Sequence, residues 1–221
     1  MAIVKPRLVD YFNIPVTQEE VDFAIPFLDE DIPLYVDPFL LWRSPSQQDN
    51  SLHSLLTNSF NHLGVLYDKN KQDEAIELLI NISECSEVGL GSGKTKRGLK
   101  ISRDTGIEIL SLFKYISDKR INGFSHFEEI QLYVDNIAKD RISDIACNFL
   151  KSFMIDFTQS ECDRYKIPMI QFEDIDVYDS KSNRLKKETV YLPYNPEKNT
   201  PIILVPKRWL RYTPWINYDD Y

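Results

Sequence analysis

Apolar positions recur at helical spacing through the middle of the chain and at two-residue spacing only near its end. From Gln47 to Asp68 they fall at Leu52, Leu55, Leu56, Phe60, Leu63, Leu66 and Tyr67. That is one stripe of a 3.6-residue helix with a wet face opposite. The same spacing predicts helices over Glu74–Ile82 (Ala75, Ile76, Leu79, Ile82) and Asp104–Lys119 (Ile107, Leu110, Phe113, Ile116). Asn122-Gly123 closes the second of these. Ser125, with Glu128 three positions on, predicts a capped helix carrying Phe127, Ile130, Tyr133, Val134 and Ile137. The longest helical pattern runs from Asp140 or Arg141 to Tyr165, where Lys166-Ile167-Pro168 stops it.

Either side of this body the signals differ. Thr17-Gln18-Glu19-Glu20 reads as a capping box. Ile32–Val36 reads as a strand that ends at Asp37, an N-cap with Pro38 at the first helical position. After Pro168 the period becomes two. Met169–Tyr178 alternates, with a phase slip at Glu173-Asp174 that a bulge would produce. Asp179–Lys187 is a polar turn, and Glu188–Leu192 and Pro201–Val205 read as two further strands. Pro206 opens a turn holding Trp209. The order predicts an α+β fold: a helical body packed on a small, mostly antiparallel C-terminal sheet, with a short N-terminal strand region. Residues 1–221 fit a single domain, and the shift near Pro168 could mark a subdomain edge. The ending on Tyr221 is not an obvious stop, so the chain also fits part of a longer protein.

Composition narrows the function classes. With 43% hydrophobic and 27% charged residues among 221, the chain can bury a core without staples. A net charge of −8 argues against a protein that coats DNA nonspecifically and leaves only a local basic patch for such contact. Cys85, Cys147 and Cys162 form no CxxC pair, so neither a disulfide framework nor a structural zinc site is expected. No secretory h-region and no apolar run of about 18 residues occurs, so a cytoplasmic chain without a membrane span is expected.

Candidate chemistry lies in four places. Gly89-Leu90-Gly91-Ser92-Gly93-Lys94-Thr95 resembles a phosphate loop, but Val88 stands where a Walker A motif needs its first glycine and no helix pattern follows. Its glycine-rich backbone with Lys94, Lys96, Arg97 and Lys100 fits either a phosphate contact or a solvated connection. Asp140, Asp144 and Asn148 form an i, i+4, i+8 stripe. With Asp37 as a third acid, Asp140 and Asp144 fit a site for Mg²⁺ or Mn²⁺; helix capping and ion pairing are the alternative. Asp179-Ser180-Lys181 matches the acid-x-lysine pair of restriction-type nucleases, though at a turn rather than in a strand. The basic, aromatic end with Trp209, Arg211 and Trp215 fits a packed core segment or a protein interface, ahead of base stacking on nucleic acid. His53, His62 and His126 are scattered and give no ligand spacing.

Ile32–Leu41, Asp140–Asn148 and Ile203-Leu204-Val205-Pro206-Lys207 with Trp215-Ile216-Asn217 resemble a bacterial family associated with mobile elements and anti-phage defence. The resemblance implies a setting, not an activity or a catalytic residue. The expectation is a bacterial anti-phage or mobile-element domain acting on or sensing nucleic acid, with metal-dependent phosphodiester cleavage as its enzymatic form. The alternative is a non-catalytic interaction module, or a subunit of a defence complex, that docks a protein partner or a further C-terminal domain.

Overall fold

The computed structural model describes residues 5–69, 71–91, 100–116, 122–134, 137 and 139–212. Its central layer is helical. Ser46 caps α3 (Gln47–Asp68) by accepting from the Asp49 N–H, and this 22-residue helix packs against α4 (Gln72–Asn81) and α5 (Arg103–Tyr115). The α3–α5 approach depends on Gly64. A Cβ there would stand 2.3 Å from the Phe113 ring, so glycine is what lets that ring lie on the α3 backbone.

The pattern expected as one long helix is divided into α6 (Lys139–Phe149) and α7 (Lys151–Tyr165), with Leu150 between them at ψ 5°. The break is slight: the Leu150 and Met154 amides still bond to carbonyls four residues back. Lys166, left-handed at φ 59°, then ends α7. The capped helix expected from Ser125 is instead a tighter 3₁₀ segment, Phe127–Leu132. Glu129, rather than Glu128, reaches back to the Ser125 and His126 amides. At the front, α1 (Leu8–Tyr11) is one turn, and the Thr17–Glu20 box closes a turn and no helix. Asp37 caps α2 (Pro38–Trp42), as the sequence predicts.

The β structure forms three antiparallel pairs among the described residues. β1 (Tyr35–Val36) pairs with β6 (Leu210–Arg211) and so joins the N-terminal strand to the far end of the chain. β2 (Ile170–Asp179) and β3 (Arg184–Leu192) make a ribbon against α6 and α7, with the register shift at Phe172/Ile175 where the phase slip predicts it. Asp174 takes φ +59° at that bulge. β4 (Tyr194–Asn195) and β5 (Thr200–Pro201) form a small hairpin. The strand expected over 201–205 forms no ladder beyond residue 201. Ile202, Ile203, Leu204 and Val205 are all buried, and their backbone groups bond singly to Pro193, Glu87, the Thr158 hydroxyl and Ala24. A buried extended run must satisfy its backbone polar groups, and here three amides and the Val205 carbonyl bond to four different segments.

The apolar residues form two cores. The larger unites α3–α7 with the ribbon. The smaller gathers Leu8, Val21, Phe23, Ile25 and Leu28 against Cys162, Ile167, Ile202 and Leu204. Together these elements are the α+β architecture that the periodicity predicts. No helix among the described residues is long and apolar enough to cross a membrane.

Candidate functional site

The acidic stripe of α6 docks a neighbouring segment. Asn148 donates from Nδ2 to the Ile82 and Glu84 carbonyls at 2.8 Å each, capping the chain as it leaves α4. Arg141 pairs with Glu84 at 3.1 Å and lies 3.7 Å from Asp144. One guanidinium therefore faces two carboxyls. Burial pushes the Asp144 carboxyl up to about 8, the Glu84 charge adds to the rise, and Arg141 opposes it. Asp140 accepts from the Arg141 amide at the start of the helix. Asp37 follows β1, whose Val36 amide donates to Ser143 Oγ on α6 at 2.9 Å; its own carboxyl caps α2, and its Oδ2 is 3.1 Å from Arg211. Burial raises its pKa while Arg211 works against that. The only described group of three His, Cys, Asp or Glu side chains with donor atoms within 4.8 Å of one another is a different one. Asp37, Asp140 and Asp144 are therefore not brought together as a three-ligand site.

The remaining predicted positions have structural duties or fall outside the described residues. Lys94, Lys96, Arg97 and Trp215 are outside them. Lys100 donates to Asn81 Oδ1 at 2.8 Å. Trp209 is fully buried rather than at an interface. Its indole N–H donates to Asp49, which also accepts two bonds from Arg208 and one from the Ser44 hydroxyl. Burial works to raise the Asp49 pKa, but these bonds outweigh it and hold the carboxyl below its usual range. Arg211 is committed to Asp37. Asp179 accepts from the Lys181 amide and the Ser182 hydroxyl and pairs with Lys186, so the acid-x-lysine match is turn chemistry.

The group that does converge is His53, His126 and Glu128. His53 sits on α3; the other two flank the start of the 3₁₀ segment, 73 positions on by the shorter route. Aromatic packing and one amide bring the segment there. Phe60 on α3 meets Phe113, Phe124 and Phe127 at 5.1–5.6 Å between centroids. Asn61, the next residue of α3, brackets Phe124 by donating to its carbonyl and accepting from its amide, both at 2.8 Å. Each ring pair contributes about 0.5–1.5 kcal/mol beyond area burial and each hydrogen bond about 1 kcal/mol. The Glu129 bonds then fix the backbone at His126.

Within the group, His53 Nε2 is 3.9 Å from Glu128 Oε2. The two imidazoles lie 5.3 Å apart, and the Trp42 ring covers them, 4.2 Å from His126 and 6.5 Å from His53. His53 is 5% exposed and Glu128 is 2% exposed. His53 Nε2 has no hydrogen-bond partner. Burial, followed by the nearby His126, lowers the His53 pKa to about 4, so its ring is neutral at pH 7 with a nitrogen lone pair to give. Two imidazoles and a carboxylate are a donor set for a divalent transition ion. Tetrahedral donors about 2.1 Å from such an ion stand about 3.4 Å apart, so the His53–Glu128 pair is about half an ångström from binding distance.

The sequence reading did not group these residues, yet it held one signal. At about 100° per residue, His53 falls about 20° from Phe60 and so inside the apolar arc of α3. A histidine on a buried face requires a partner, and the periodicity could have asked for one. Nothing in the sequence named Glu128 as that neighbour. Residues 13–217 match a family model described as "Domain of unknown function (DUF8370)". No curated protein and no solved structure matches the chain.

Proposed function

We propose that this chain, which belongs to the DUF8370 family over residues 13–217, is a metal-binding domain whose ion is held by His53, His126 and Glu128. The observation that carries the reading is the convergence of three good donors within 4.8 Å from segments far apart in sequence. Imidazole-rich sites favour Zn²⁺, Mn²⁺, Fe²⁺ or Co²⁺ over Mg²⁺, whose preferred ligands are oxygens. The neutral state of His53 removes proton competition above about pH 5. Metal-dependent phosphodiester cleavage, one expectation of the sequence, is carried over to this ion and away from the three aspartates.

The test is metal analysis with thermal unfolding. Zn²⁺ or Mn²⁺ at about a hundred times its Kd stabilises the folded state by about 2.7 kcal/mol, or roughly 5–10 °C for a chain of this size. His53→Phe fills the same core space without a donor and should bind no metal, while Asp144→Asn should bind as the parent does. A parent that neither holds metal after dialysis nor shifts its melting with any of these ions would sink the reading. Loss of metal in Asp144→Asn but not in His53→Phe would return the ion to the aspartates.

A further inference from the structure

Independently of the metal reading, we infer that Cys85 and Cys147 are a redox site: a buried dithiol, served by Lys151, that a hydroperoxide oxidises to a disulfide. Asp144, Cys147, Asn148 and Lys151 stand at i, i+3, i+4 and i+7, so they line one helical stripe. Segment 82–87 lies along that stripe. The Cys85 amide bonds to the Asp144 carboxyl, the Ile82 and Glu84 carbonyls accept from Asn148 at 2.8 Å, and Glu87 pairs with Lys151 at 3.0 Å. Cys85 is thus pinned beside Cys147, 62 positions away in sequence. The two buried thiols share a hydrogen bond.

The cation beside them suits this chemistry. Lys151 is 3% exposed and holds the first position of α7, where the helix dipole disfavours positive charge. Burial works to remove its proton, but Cys85 and Glu87 outweigh that and keep the ammonium charged. An ammonium beside a thiol stabilises the thiolate, which is the form that attacks an oxidant. The shared hydrogen bond and then burial push the Cys85 thiol well above its usual range, and Lys151 opposes them. The pair therefore rests as two thiols and reacts through the thiolate that Lys151 favours. Cys162 is the internal contrast. It lies in the smaller core, where burial and then Asp163 and Glu161 push it up to about 12. Access to the pair comes through residues 83–85, which belong to no helix or strand and open at lower cost than the helices around them. In the reaction, one thiolate sulfur attacks a peroxide oxygen, the O–O bond breaks, and the departing hydroxide takes up the thiol proton as water. The second thiol then attacks the sulfenic sulfur, the S–O bond breaks, and a second water leaves with that thiol's proton. Two thiols and one peroxide become one disulfide and two waters.

The full chain, reduced and kept in chelator so that no ion takes part, is treated with a small excess of hydrogen peroxide. It is then unfolded for thiol counting and peptide mass analysis. The count should fall from three to one, with a peptide pair linked through Cys85 and Cys147, and dithiothreitol should restore all three. Linkage in the parent is decided without any variant. Cys147→Ser should give no linked pair. Lys151→Met, which keeps an unbranched apolar stem without the charge, should slow linkage at least tenfold and move the rise of its rate to higher pH. The parent and Lys151→Met unfolded in urea should react alike. Survival of all three thiols, consumption of Cys162 instead, or oxidation of Cys85 or Cys147 without linkage would overturn the dithiol. Equal rates and pH profiles in folded parent and folded Lys151→Met would overturn the role of Lys151.

Discussion

Asp144→Asn should flatten the pH dependence of stability between pH 6.5 and 8. In the folded chain the Asp144 carboxyl is pushed from 3.8 to about 8, by burial first and by Glu84 next. A folded pKa above the unfolded one means that the folded state holds a proton the unfolded state has released. The stabilisation is complete below pH 3.8 and is lost as pH rises through 8. His53 works in the opposite sense, because its pKa falls from 6.5 to about 4. Its contribution is lost as pH falls from 6.5 through 4 and nears its plateau above that window, so across pH 6.5–8 the carboxyl dominates. Integrating the linkage relation for one group of pKa 8 gives a loss of about 1.7 kcal/mol across this window. Glu84, also raised chiefly by burial, changes stability in the same direction. The amide introduced by Asp144→Asn would keep an oxygen for the Cys85 N–H, which now bonds the carboxylate, and it would leave Arg141 to Glu84 alone. Urea unfolding at pH 6.5, 7, 7.5 and 8, with chelator present to keep metal out of the comparison, measures both slopes. The parent should lose more than about 1 kcal/mol and the variant a small fraction of that. Parallel slopes in the two proteins would refute the argument, because they would place the titrating group elsewhere.

Two further predictions follow from packing. Asp49→Ala strands the Trp209 indole N–H and the Ser44 hydroxyl, while the half-exposed Arg208 can turn to water. The expected loss is about 2–4 kcal/mol, or roughly 5–15 °C in thermal melting; a shift within about 2 °C would contradict the clamp. Gly64→Ala drives a methyl into the Phe113 ring, so it should cost about 1–3 kcal/mol despite the better helix propensity of alanine. An unchanged or raised melting temperature would show that α3 and α5 do not approach this closely.

The polar stripe of α6 was readable from spacing, and its purpose was not. Asp140, Asp144 and Asn148 share a face because a helix turns about 100° per residue. Whether such a face binds an ion or another part of the chain depends on what packs there. Residues 82–85 pack there, and their carbonyls and Glu84 take up Asn148 and Arg141. The same gap left Trp209 readable as either a core or an interface residue. Aromatic and basic residues in one segment suit both roles, and only the position of Asp49, 160 residues earlier, decides.

What the sequence determined by itself is local. Helical spacing set α3, α4 and α5, the Asp37–Pro38 pair set the start of α2, and the phase slip at Glu173-Asp174 set the ribbon bulge. Each depends on neighbours a few residues apart, whose geometry the backbone fixes. The tertiary structure decided everything that joins distant segments. It spread the backbone bonds of Ile202–Val205 over four partners instead of a ladder. It placed His53 against His126 and Glu128 through the Phe60 cluster and the Asn61 bracket. Side chains 73 or more residues apart have no fixed spacing until the core packs, and a donor set of that kind exists only once it has.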